Sequence, residues 1–551
     1  MKHNTRNHAF CLSLIFLLAV GFSACGGGAD EDGDGDIPSI TAPTDLTAVI
    51  NSSSEIVLSW GDNSSNEDGF RVERSTDGTT FSLLANTSAN ATTHSDAAIS
   101  GGTTYWYRVR AYVQTYYSGY SNIASATTPW AKSYGESDTE RAQSIWHTSD
   151  GGFITTGHSV SFGGLWVVKL DSEGAVDWEK SYGGSGSWGE RIIQQTSDSG
   201  YIVVGSTSDL FTGIDAWILK LDPDGSIDWQ KRYGGPSDDD DFPLAIQQTS
   251  DGGYIVAGYT GITLDFPFIQ MLYDMWAMKL DSSGNIEWQY KYGLNDEDYA
   301  YSIQQASDGG YIMAGETISG TTGSDFLVLK LNSDGTIAWQ KSYGGSGGDI
   351  AKSVVETDSG YSVAGITYSF SVLKSDVWIL NLDTDGNVLW EKTYGSAEDE
   401  GAQSIRMTTD DGYVAAGYTW SFGASNGDFW VLKLNSDGSA YWQRRYGGLD
   451  PDYCYCVQQT DDEGYSAAGL TYSFGAGQCD FWVLKLASDG SIDFDPAGSA
   501  AESPTTATVT DTSATVTVTA ITPVSTSVTA TDTLFTATDT TAIIHQQAPQ
   551  S

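Results

Sequence analysis

Six acidic residues recur at one position of a repeated sequence unit, and their carboxylates are the groups best placed for chemistry. Each lies five residues before the central apolar residue of an apolar–polar alternation, and Trp188 takes this place in the second unit. The six are Glu140, Asp241, Asp298, Asp349, Glu400 and Asp452. A carboxylate ring would attract Ca²⁺ or a cationic ligand. We favour a structural role, in which each acid accepts hydrogen bonds from a Gly-rich turn, because a wide ring separates its oxygens.

Other acidic segments are weaker cation candidates. The run Asp238, Asp239, Asp240 and Asp241 in GGPSDDDDF is the best single one, although we favour a solvated charge run as its explanation. The hairpins LDPDGSID and LDTDG contain D-x-D-G but lack the later bidentate acid of a calcium loop. We therefore predict no cofactor, with Ca²⁺ as the one open alternative.

The sequence shows no recognisable group of catalytic residues. There is no G-x-S-x-G elbow and no C-x-x-C-H haem site, and the repeated region has only His147 and His158. No residue is predicted to be catalytic. The enzymatic alternative is a glycan hydrolase or lyase that uses carboxylates on one face of the repeated region.

Three cysteines share the last unit: Cys454, Cys456 and Cys479. By simple alternation Cys454 and Cys456 lie on one strand face. A disulfide from Cys479 to one of them would staple this unit in an oxidising compartment.

The third unit carries an apolar insertion, ITLDFPFIQMLYDM at 262–275, where other units have Gly and Ser. Its candidate partner-binding residues are Phe266, Phe268, Met271, Leu272 and Tyr273. Exposed apolar patches often mark binding sites, but the same residues would also suit a small satellite core over a sheet edge.

The elements that position these residues repeat about every fifty residues. Anchor aromatics mark the period at Trp130, Trp178, Trp229, Trp288, Trp339, Trp390, Trp442 and Phe494. Each unit has four short β-rich runs divided by Gly, Asp and Ser. One such sheet cannot bury both faces, so the repeat predicts sheets stacked radially with the anchors between them. Seven complete units predict a seven-bladed β-propeller of four-stranded blades over 130–498, with WAKSYG as a closing strand.

The units resemble the bacterial β-propeller repeats of secreted surface proteins, on the segments DYAYSIQQASDGGYIMAGET (298–317) and DFWVLKLNSDGSAYW (428–442). LDTDGNVLW (382–390) is similar, more weakly, to the tryptophan motif of quinoprotein-type propellers. The resemblance implies a fold and no common activity.

A different module occupies 41–129. Trp60, the FRVERS strand and Tyr105 and Tyr107 in TTYWYRVRAYV resemble the core of a fibronectin type III β-sandwich. That resemblance implies that Tyr105 is a corner tyrosine whose hydroxyl bonds back to the backbone.

The first 25 residues have a basic start, the apolar run AFCLSLIFLLAV and then GFSAC. They resemble a bacterial lipoprotein signal, which implies lipid attachment at Cys25 and an extracytoplasmic place, the outer membrane or cell surface. An acidic Gly/Asp linker follows at 26–40, and a Thr/Ser-rich low-complexity tail at 499–551. We expect that tail to be disordered or loosely extended, or to add one or two strands.

The composition limits the partners. A formal net charge of −45 repels phosphate backbones, so nucleic acid is not expected as a partner. We expect a lipid-anchored binding or scaffold protein that recognises a protein or glycan through propeller loops. The alternatives are the glycan hydrolase or lyase and a calcium-stabilised structural surface module.

Overall fold

The computed structural model describes residues 39–492, with breaks at 162, 184–186, 210–212, 235–238, 264–270, 294–296, 320–322, 372–373, 423–426 and 476–477, and seven short strands between 503 and 545. Every helix or strand element in these residues is a β-strand, which confirms the predicted all-β class. No helix in the described part is long and apolar enough to cross a membrane. The predicted signal peptide, with Cys25, and most of the linker lie outside the described residues.

The first module is a sandwich of two antiparallel sheets. Its strands are β1 (Thr44–Ser52), β2 (Glu55–Gly61), β3 (Gly69–Ser75), β4 (Ser82–Asn86), β5 (Thr93–Asp96), β6 (Thr104–Val113), β7 (Tyr116–Tyr117) and β8 (Ala124–Thr127). One sheet has the order β1-β2-β5, and the other has β4-β3-β6-β7 with β8 on β6. Trp60 is buried and lies 5.6 Å from the Phe70 ring. The backbone N–H of Ser100 donates to the Tyr105 hydroxyl at 3.0 Å, as predicted for a corner tyrosine.

Seven further sheets follow; six are each built from one stretch of the chain, and the seventh combines the last three strands of the repeated region with the first. The strand β9 (Trp130–Gly135) comes first. Sheet 1 contains β10 (Glu140–His147), β11 (Phe153–Ser159), β12 (Gly164–Leu170) and β13 (Val176–Tyr182), and sheet 2 contains β14 (Ser187–Gln195), β15 (Tyr201–Asp209), β16 (Gly213–Leu221) and β17 (Ile227–Gly234). Sheet 3 contains β18 (Asp239–Gln248), β19 (Tyr254–Thr263), β20 (Met271–Leu280) and β21 (Ile286–Tyr292), and sheet 4 contains β22 (Glu297–Gln305), β23 (Tyr311–Ser319), β24 (Gly323–Leu331) and β25 (Ile337–Gly344).

The remaining sheets repeat the pattern. Sheet 5 contains β26 (Asp349–Thr357), β27 (Gly360–Thr367), β28 (Asp376–Asp383) and β29 (Val388–Gly395), and sheet 6 contains β30 (Glu400–Met407), β31 (Tyr413–Thr419), β32 (Asp428–Leu434) and β33 (Ala440–Tyr446). Sheet 7 contains β34 (Asp452–Gln459), β35 (Tyr465–Thr471) and β36 (Asp480–Leu486). Its fourth strand is β9, which pairs antiparallel with β36 as predicted for the closing strand. Phe494 lies outside the described residues.

The turn between the third and fourth strands shows why the glycines recur. In sheet 4 the N–H of Gly335 donates to the carbonyl of Asn332 at 3.0 Å, with φ +81° at the glycine. A Cβ on Gly335 would lie 2.7 Å from the Trp288 ring of sheet 3. The glycine therefore closes the turn in a left-handed conformation and also lets the neighbouring anchor approach.

The apolar core lies between successive sheets. The rings of Phe326 in sheet 4 and Trp378 in sheet 5 have centroids 4.6 Å apart, and both are fully buried. The anchor Trp288 donates its indole N–H to the carbonyl of Ser333 in the next sheet at 3.1 Å. The same packing joins sheet 7 to sheet 1, where Phe481 and Trp166 lie 4.5 Å apart.

The sandwich contacts the hairpins of sheets 7 and 1. The N–H of Ser53 donates to Ser491 Oγ at 2.7 Å, and Ser488 Oγ donates to the carbonyl of Ile50 at 2.7 Å. On the other side Thr104 N–H donates to Glu173 Oε1 at 2.9 Å.

The tail differs from the disordered or one- to two-strand interpretation. Seven short strands form there and each adds a fifth strand to one sheet. They are β37 (Ser503–Pro504), β38 (Thr508–Asp511), β39 (Thr515–Thr517), β40 (Val524–Ser525), β41 (Thr529–Asp532), β42 (Thr538–Asp539) and β43 (Ile543–His545). Composition alone did not indicate the outer strand edges that these segments pair with.

Candidate functional site

A β-bulge interrupts the first strand of every one of the seven sheets. In sheet 4 the register shifts between Ala300 and Ser302. A bulge leaves one extra residue unpaired and re-aims its side chain. The second strand supplies a glycine at this point, because a Cβ on Gly315 would collide with the carbonyl oxygen of Tyr299.

The bulged segments line one cavity of about 210 Å³. All seven first strands contribute to its described lining, which consists of Arg141, Gln143, Ile192, Leu244, Tyr301, Lys352, Gln403 and Tyr455. Two of these side chains are cationic, two are amides and two are tyrosines. None of the described lining residues is acidic, although the whole chain has a formal charge of −45.

The two cations of the cavity have different surroundings. Lys352 Nζ lies 3.4 Å from the centroid of the Tyr301 ring, a cation–π distance. The Tyr301 hydroxyl donates to Glu316 Oε1 at 2.7 Å, which fixes the ring. Burial lowers the pKa of Arg141, but its hydrogen bond with Cys479 and the nearby tyrosines outweigh burial and leave the pKa raised. Both groups favour an anion in the cavity.

Sequence reasoning missed this cavity. A signal was present, because four units place a large polar residue between two small ones. These segments are Ala142-Gln143-Ser144, Ala300-Tyr301-Ser302, Ala351-Lys352-Ser353 and Ala402-Gln403-Ser404. Alternation alone gave no reason to expect a bulge there.

The six recurrent acids are buried. Four of them accept a hydrogen bond from the turn four residues upstream: Glu140 from Glu136 N at 3.2 Å, Asp349 from Gly345 N at 3.1 Å, Glu400 from Ser396 N at 2.9 Å and Asp452 from Gly448 N at 3.0 Å. This geometry confirms the turn-holding interpretation for those four acids.

A second set of carboxylates meets the first, and the sequence analysis did not identify it. These aspartates lie at or near the start of the third strand, as Asp325 does in sheet 4. A Cβ on Gly344 would collide with Asp325 Oδ1 and lie 3.0 Å from Asp349 Oδ2, so both carboxylates converge on one glycine. The same arrangement recurs around Gly447, with Asp428 and Asp452.

In these pairs the third-strand aspartate resists ionisation. Burial, and next the charge of Asp349, raise the pKa of Asp325 to about 6. Burial and Glu400 likewise raise the pKa of Asp376 to about 7. One oxygen in each of these two aspartates, Oδ1, is buried without a hydrogen-bond partner. The carboxyls therefore hold protons at a pH where an exposed aspartate has lost its own.

The predicted cation candidates give no metal centre in the described residues, where no group of three or more His, Cys, Asp or Glu side chains is arranged to hold an ion. Asp238 lies outside the described residues, and the side chain of Asp239 does too. Asp240 Oδ1 accepts the N–H of Ile214 at 2.8 Å, and Asp241 is buried. In the LDTDG hairpin Asp383 Oδ1 accepts the N–H of Asn387 at 2.8 Å, as turn chemistry predicts.

The apolar insertion lengthens a hairpin. β19 runs to Thr263 and β20 starts at Met271, so Met271, Leu272 and Tyr273 lie in a strand and not in a loop. Phe266 and Phe268 lie outside the described residues, as do the side chains of Met271 and Leu272. Tyr273 is half-buried and its ring lies 5.2 Å from that of Tyr259, in an edge contact.

The three cysteines of the last unit are free and buried, so the predicted disulfide is not formed. The register shift of sheet 7 falls between Cys454 and Cys456, which puts them on opposite faces and corrects the prediction of one shared face. Cys454 packs in the core between sheets 6 and 7, and Cys456 packs between sheets 7 and 1. Cys479 Sγ lies 3.6 Å from the carbonyl oxygen of Glu140.

No family model matches the chain, and no curated protein matches it. Among solved structures it is similar to an Fn3-like protein from Clostridium thermocellum, with 29% identity over 15% of this chain and 86% of that chain, and a TM-score of 0.14. A protein of unknown function from Dyadobacter fermentans matches at 13% identity over 64% of this chain and 97% of that one, with a TM-score of 0.36. The FN1-FN3 domains of chicken CNTN1 match at 10% identity over 55% of this chain and 98% of that one, with a TM-score of 0.16.

The class that the fold defines is an all-β protein. It combines a sandwich of two antiparallel sheets with repeated antiparallel sheets of four strands.

Proposed function

We propose that sheets 1 to 7 form a closed seven-bladed β-propeller with the bulge-lined cavity on its axis. One repeated bond supports closure: the tyrosine of each fourth strand donates its hydroxyl to a glycine carbonyl in the next sheet. The seven bonds are Tyr134 to Gly174, Tyr182 to Gly225, Tyr233 to Gly284, Tyr292 to Gly335, Tyr343 to Gly386, Tyr394 to Gly438 and Tyr446 to Gly490. Seven sheets in an open stack have six junctions, whereas a ring has seven.

The inner strands support the same closure. Ser302 and Ser353 each accept the backbone N–H of a residue in the next sheet, at 3.2 Å. Cys456 takes the corresponding position in sheet 7, and its sulfur lies 3.6 Å from the carbonyl oxygen of Ile145 in sheet 1. Ser353 Oγ likewise donates to the carbonyl oxygen of Ile405 at 3.5 Å, so the junction of sheets 7 and 1 uses the same position as the junction of sheets 5 and 6.

We propose that the protein is a non-catalytic binding protein whose cavity takes an acidic saccharide. The observation that carries this proposal is that bulged strands of all seven sheets converge on one cavity with Arg141 and Lys352 in its wall. Tyrosine rings suit the faces of a sugar, amides suit its hydroxyls, and the two cations suit its carboxylate. In the paired carboxylates, the first choice for a hydrolase, the first-strand member is buried and accepts a turn N–H group.

A binding titration tests the ligand. The intact protein is titrated with galacturonate oligosaccharides and, in parallel, with neutral malto-oligosaccharides of the same length. We expect binding of the acidic set only, weakened by salt. Lys352→Met and Arg141→Met should each weaken it at least ten-fold, while the exposed control Lys374→Met should not. Equal binding by the neutral sugars, or no change in both cavity variants, would refute the proposal.

We further propose that Cys25 carries a lipid that holds the protein at an extracytoplasmic membrane surface. The support is the GFSAC segment after a basic start and an apolar run. A Cys25→Ser variant should fail to incorporate labelled palmitate and should leave the membrane fraction, whereas Cys11→Ser should behave as the parent does. Palmitate incorporation by Cys25→Ser would contradict the assignment.

A further inference from the structure

The tail pairs with the fourth strands of the seven sheets in the reverse of the order in which those strands occur along the chain. β37 pairs with β33 of sheet 6, β38 with β29 of sheet 5, β39 with β25 of sheet 4 and β40 with β21 of sheet 3. β41 then pairs with β17 of sheet 2, β42 with β13 of sheet 1 and β43 with β9 of sheet 7. All seven pairings are antiparallel and use the outer edge of the fourth strand, so one segment covers every sheet once.

The register of these pairings advances in steps of seven residues. The glycine that ends a fourth strand faces Thr508 in sheet 5, Thr515 in sheet 4, Thr529 in sheet 2 and Ile543 in sheet 7. Each of these tail positions lies seven residues, or twice seven, after the one before it. The composition follows the same step: TVTD at 508–511 returns as TATD at 529–532 and at 536–539. A step of seven extended residues spans roughly 23 Å.

Charge follows the same register. Residues 505–551 contain three acidic residues, Asp511, Asp532 and Asp539. Each of the three is the cross-strand partner of a lysine: Asp511 of Lys392, Asp532 of Lys231 and Asp539 of Lys180. Opposite charges at directly paired positions stabilise an antiparallel pair, and like charges destabilise it. A tail slipped by a few residues would lose all three matches.

We propose that the outer edges of the seven sheets are copies of one docking site for a Thr-x-Thr-Asp heptad strand, and that the chain's own tail occupies them. The edge supplies backbone pairing for the heptad, and in sheets 5, 2 and 1 the lysine two residues before the tyrosine selects the aspartate. Each contact is only two to four residues long, so occupancy depends on the linkage of seven weak contacts in one segment. The tail also covers strand edges that would otherwise be open to other chains.

Insertions into the full chain test the heptad step. Hydrogen exchange of tail amides is measured by mass spectrometry in the parent and in two variants with residues inserted after Thr519. Three inserted residues should abolish protection at 524–545 and keep it at 508–517. Seven inserted residues with the sequence TATVTDT should keep protection at 508–517 and 524–539, and only 543–545 should lose it, because no eighth sheet edge is left for that segment. Equal protection in the two variants, or an unprotected tail in the parent, would overturn the proposal.

Charge exchange tests the selectivity. The triple variant Asp511→Lys, Asp532→Lys and Asp539→Lys should exchange its tail amides roughly ten-fold faster than the parent. Adding Lys392→Asp, Lys231→Asp and Lys180→Asp should restore protection. If the variant with all six substitutions does not regain protection of its tail amides, the lysines do not select the aspartates. A protected parent that is dimeric by light scattering, and loses protection on dilution to monomer, would assign the occupant to a second copy and overturn the proposal.

Discussion

At the scale of single residues, the junctions between sheets hold carboxyls that share a confined space. Asp376 lies against Gly395. Burial, and next the charge of Glu400 in the adjoining sheet, raise the pKa of Asp376. Glu400 itself is held by the Ser396 N–H at 2.9 Å and the Thr419 hydroxyl at 2.9 Å. Burial and the neighbouring Glu400 raise the pKa of Asp376 to about 7, so Asp376 holds a proton well above the usual range of an aspartate.

This arrangement predicts a pH-dependent stability with a defined sign. Asp376 has a pKa of about 7 in the folded protein, against roughly 3.9 in an unfolded chain. Between these values the folded state holds a proton that the unfolded state has released, so stability falls as pH rises. The melting temperature should therefore be higher at pH 5 than at pH 8, and Asp376→Asn should reduce this difference.

The matched control is Asp358→Asn, an exposed aspartate of the same sheet. The control should keep the full pH dependence of the parent in differential scanning fluorimetry. An Asp376→Asn protein whose melting temperature changes with pH as the parent's does would contradict the assignment of the proton.

Single residues also show which carboxylates could be predicted from the sequence and which could not. The six recurrent acids were identifiable because they stand at one place in a repeat, and turn chemistry gave their role. Their partners, such as Asp325 and Asp376, were not identified because a third-strand aspartate carries no signal until the sheets are packed together.

At the scale of elements, the bulge and the glycine opposite it form a unit. In sheet 5 a Cβ on Gly365 would collide with the carbonyl oxygen of Ile350 and lie 2.9 Å from Ala351 Cα. Both are backbone atoms of the neighbouring strand, so no side-chain movement relieves the clash. The glycine allows the first strand to bulge toward the cavity.

Gly365→Ala should therefore destabilise the protein by about 3 kcal/mol, the upper range for overpacking a core. Gly348→Ala is the control in the same sheet, because its Cβ would meet nothing closer than Ser324 Oγ at 3.3 Å. Urea unfolding should show a lower midpoint for the first variant and an unchanged one for the second. Equal midpoints would mean that the bulge relaxes without cost.

A bulge also explains why the predicted orientation of two cysteines was wrong. Simple alternation placed Cys454 and Cys456 on one face, and one extra residue between them reversed that. The four-strand pattern and the hairpin glycines were predictable, because propensity and turn geometry act locally. A bulge depends on the facing strand and on the space beyond it.

At the scale of the whole molecule, the sandwich and the sheets share contacts at two hairpins. Ser53 and Ile50 bond to the hairpin of sheet 7, and Thr104 bonds to that of sheet 1. Ala487 of that sheet 7 hairpin packs into the core of the sandwich. Residues 39–492 should therefore unfold together and not as a spacer followed by a separate domain.

Differential scanning calorimetry of the intact protein checks this expectation. One endotherm, with equal calorimetric and van't Hoff enthalpies, is the expected result. Ser488→Ala and Ser491→Ala together should lower its temperature, while Ser439→Ala, in the corresponding hairpin of sheet 6, serves as the control. Two separate endotherms in the parent would show that the hairpin contacts do not couple the two modules.

The completion of sheet 7 by β9 also has a consequence in time. Trp130 pairs with Lys485, close to the other end of the repeats, so this pairing must wait until the last unit has been made. Closing so long a loop costs on the order of 5 kcal/mol in chain entropy. Refolding should be limited by this late step, and once made it should delay the loss of structure, giving a protein that is slow to form and slow to come apart.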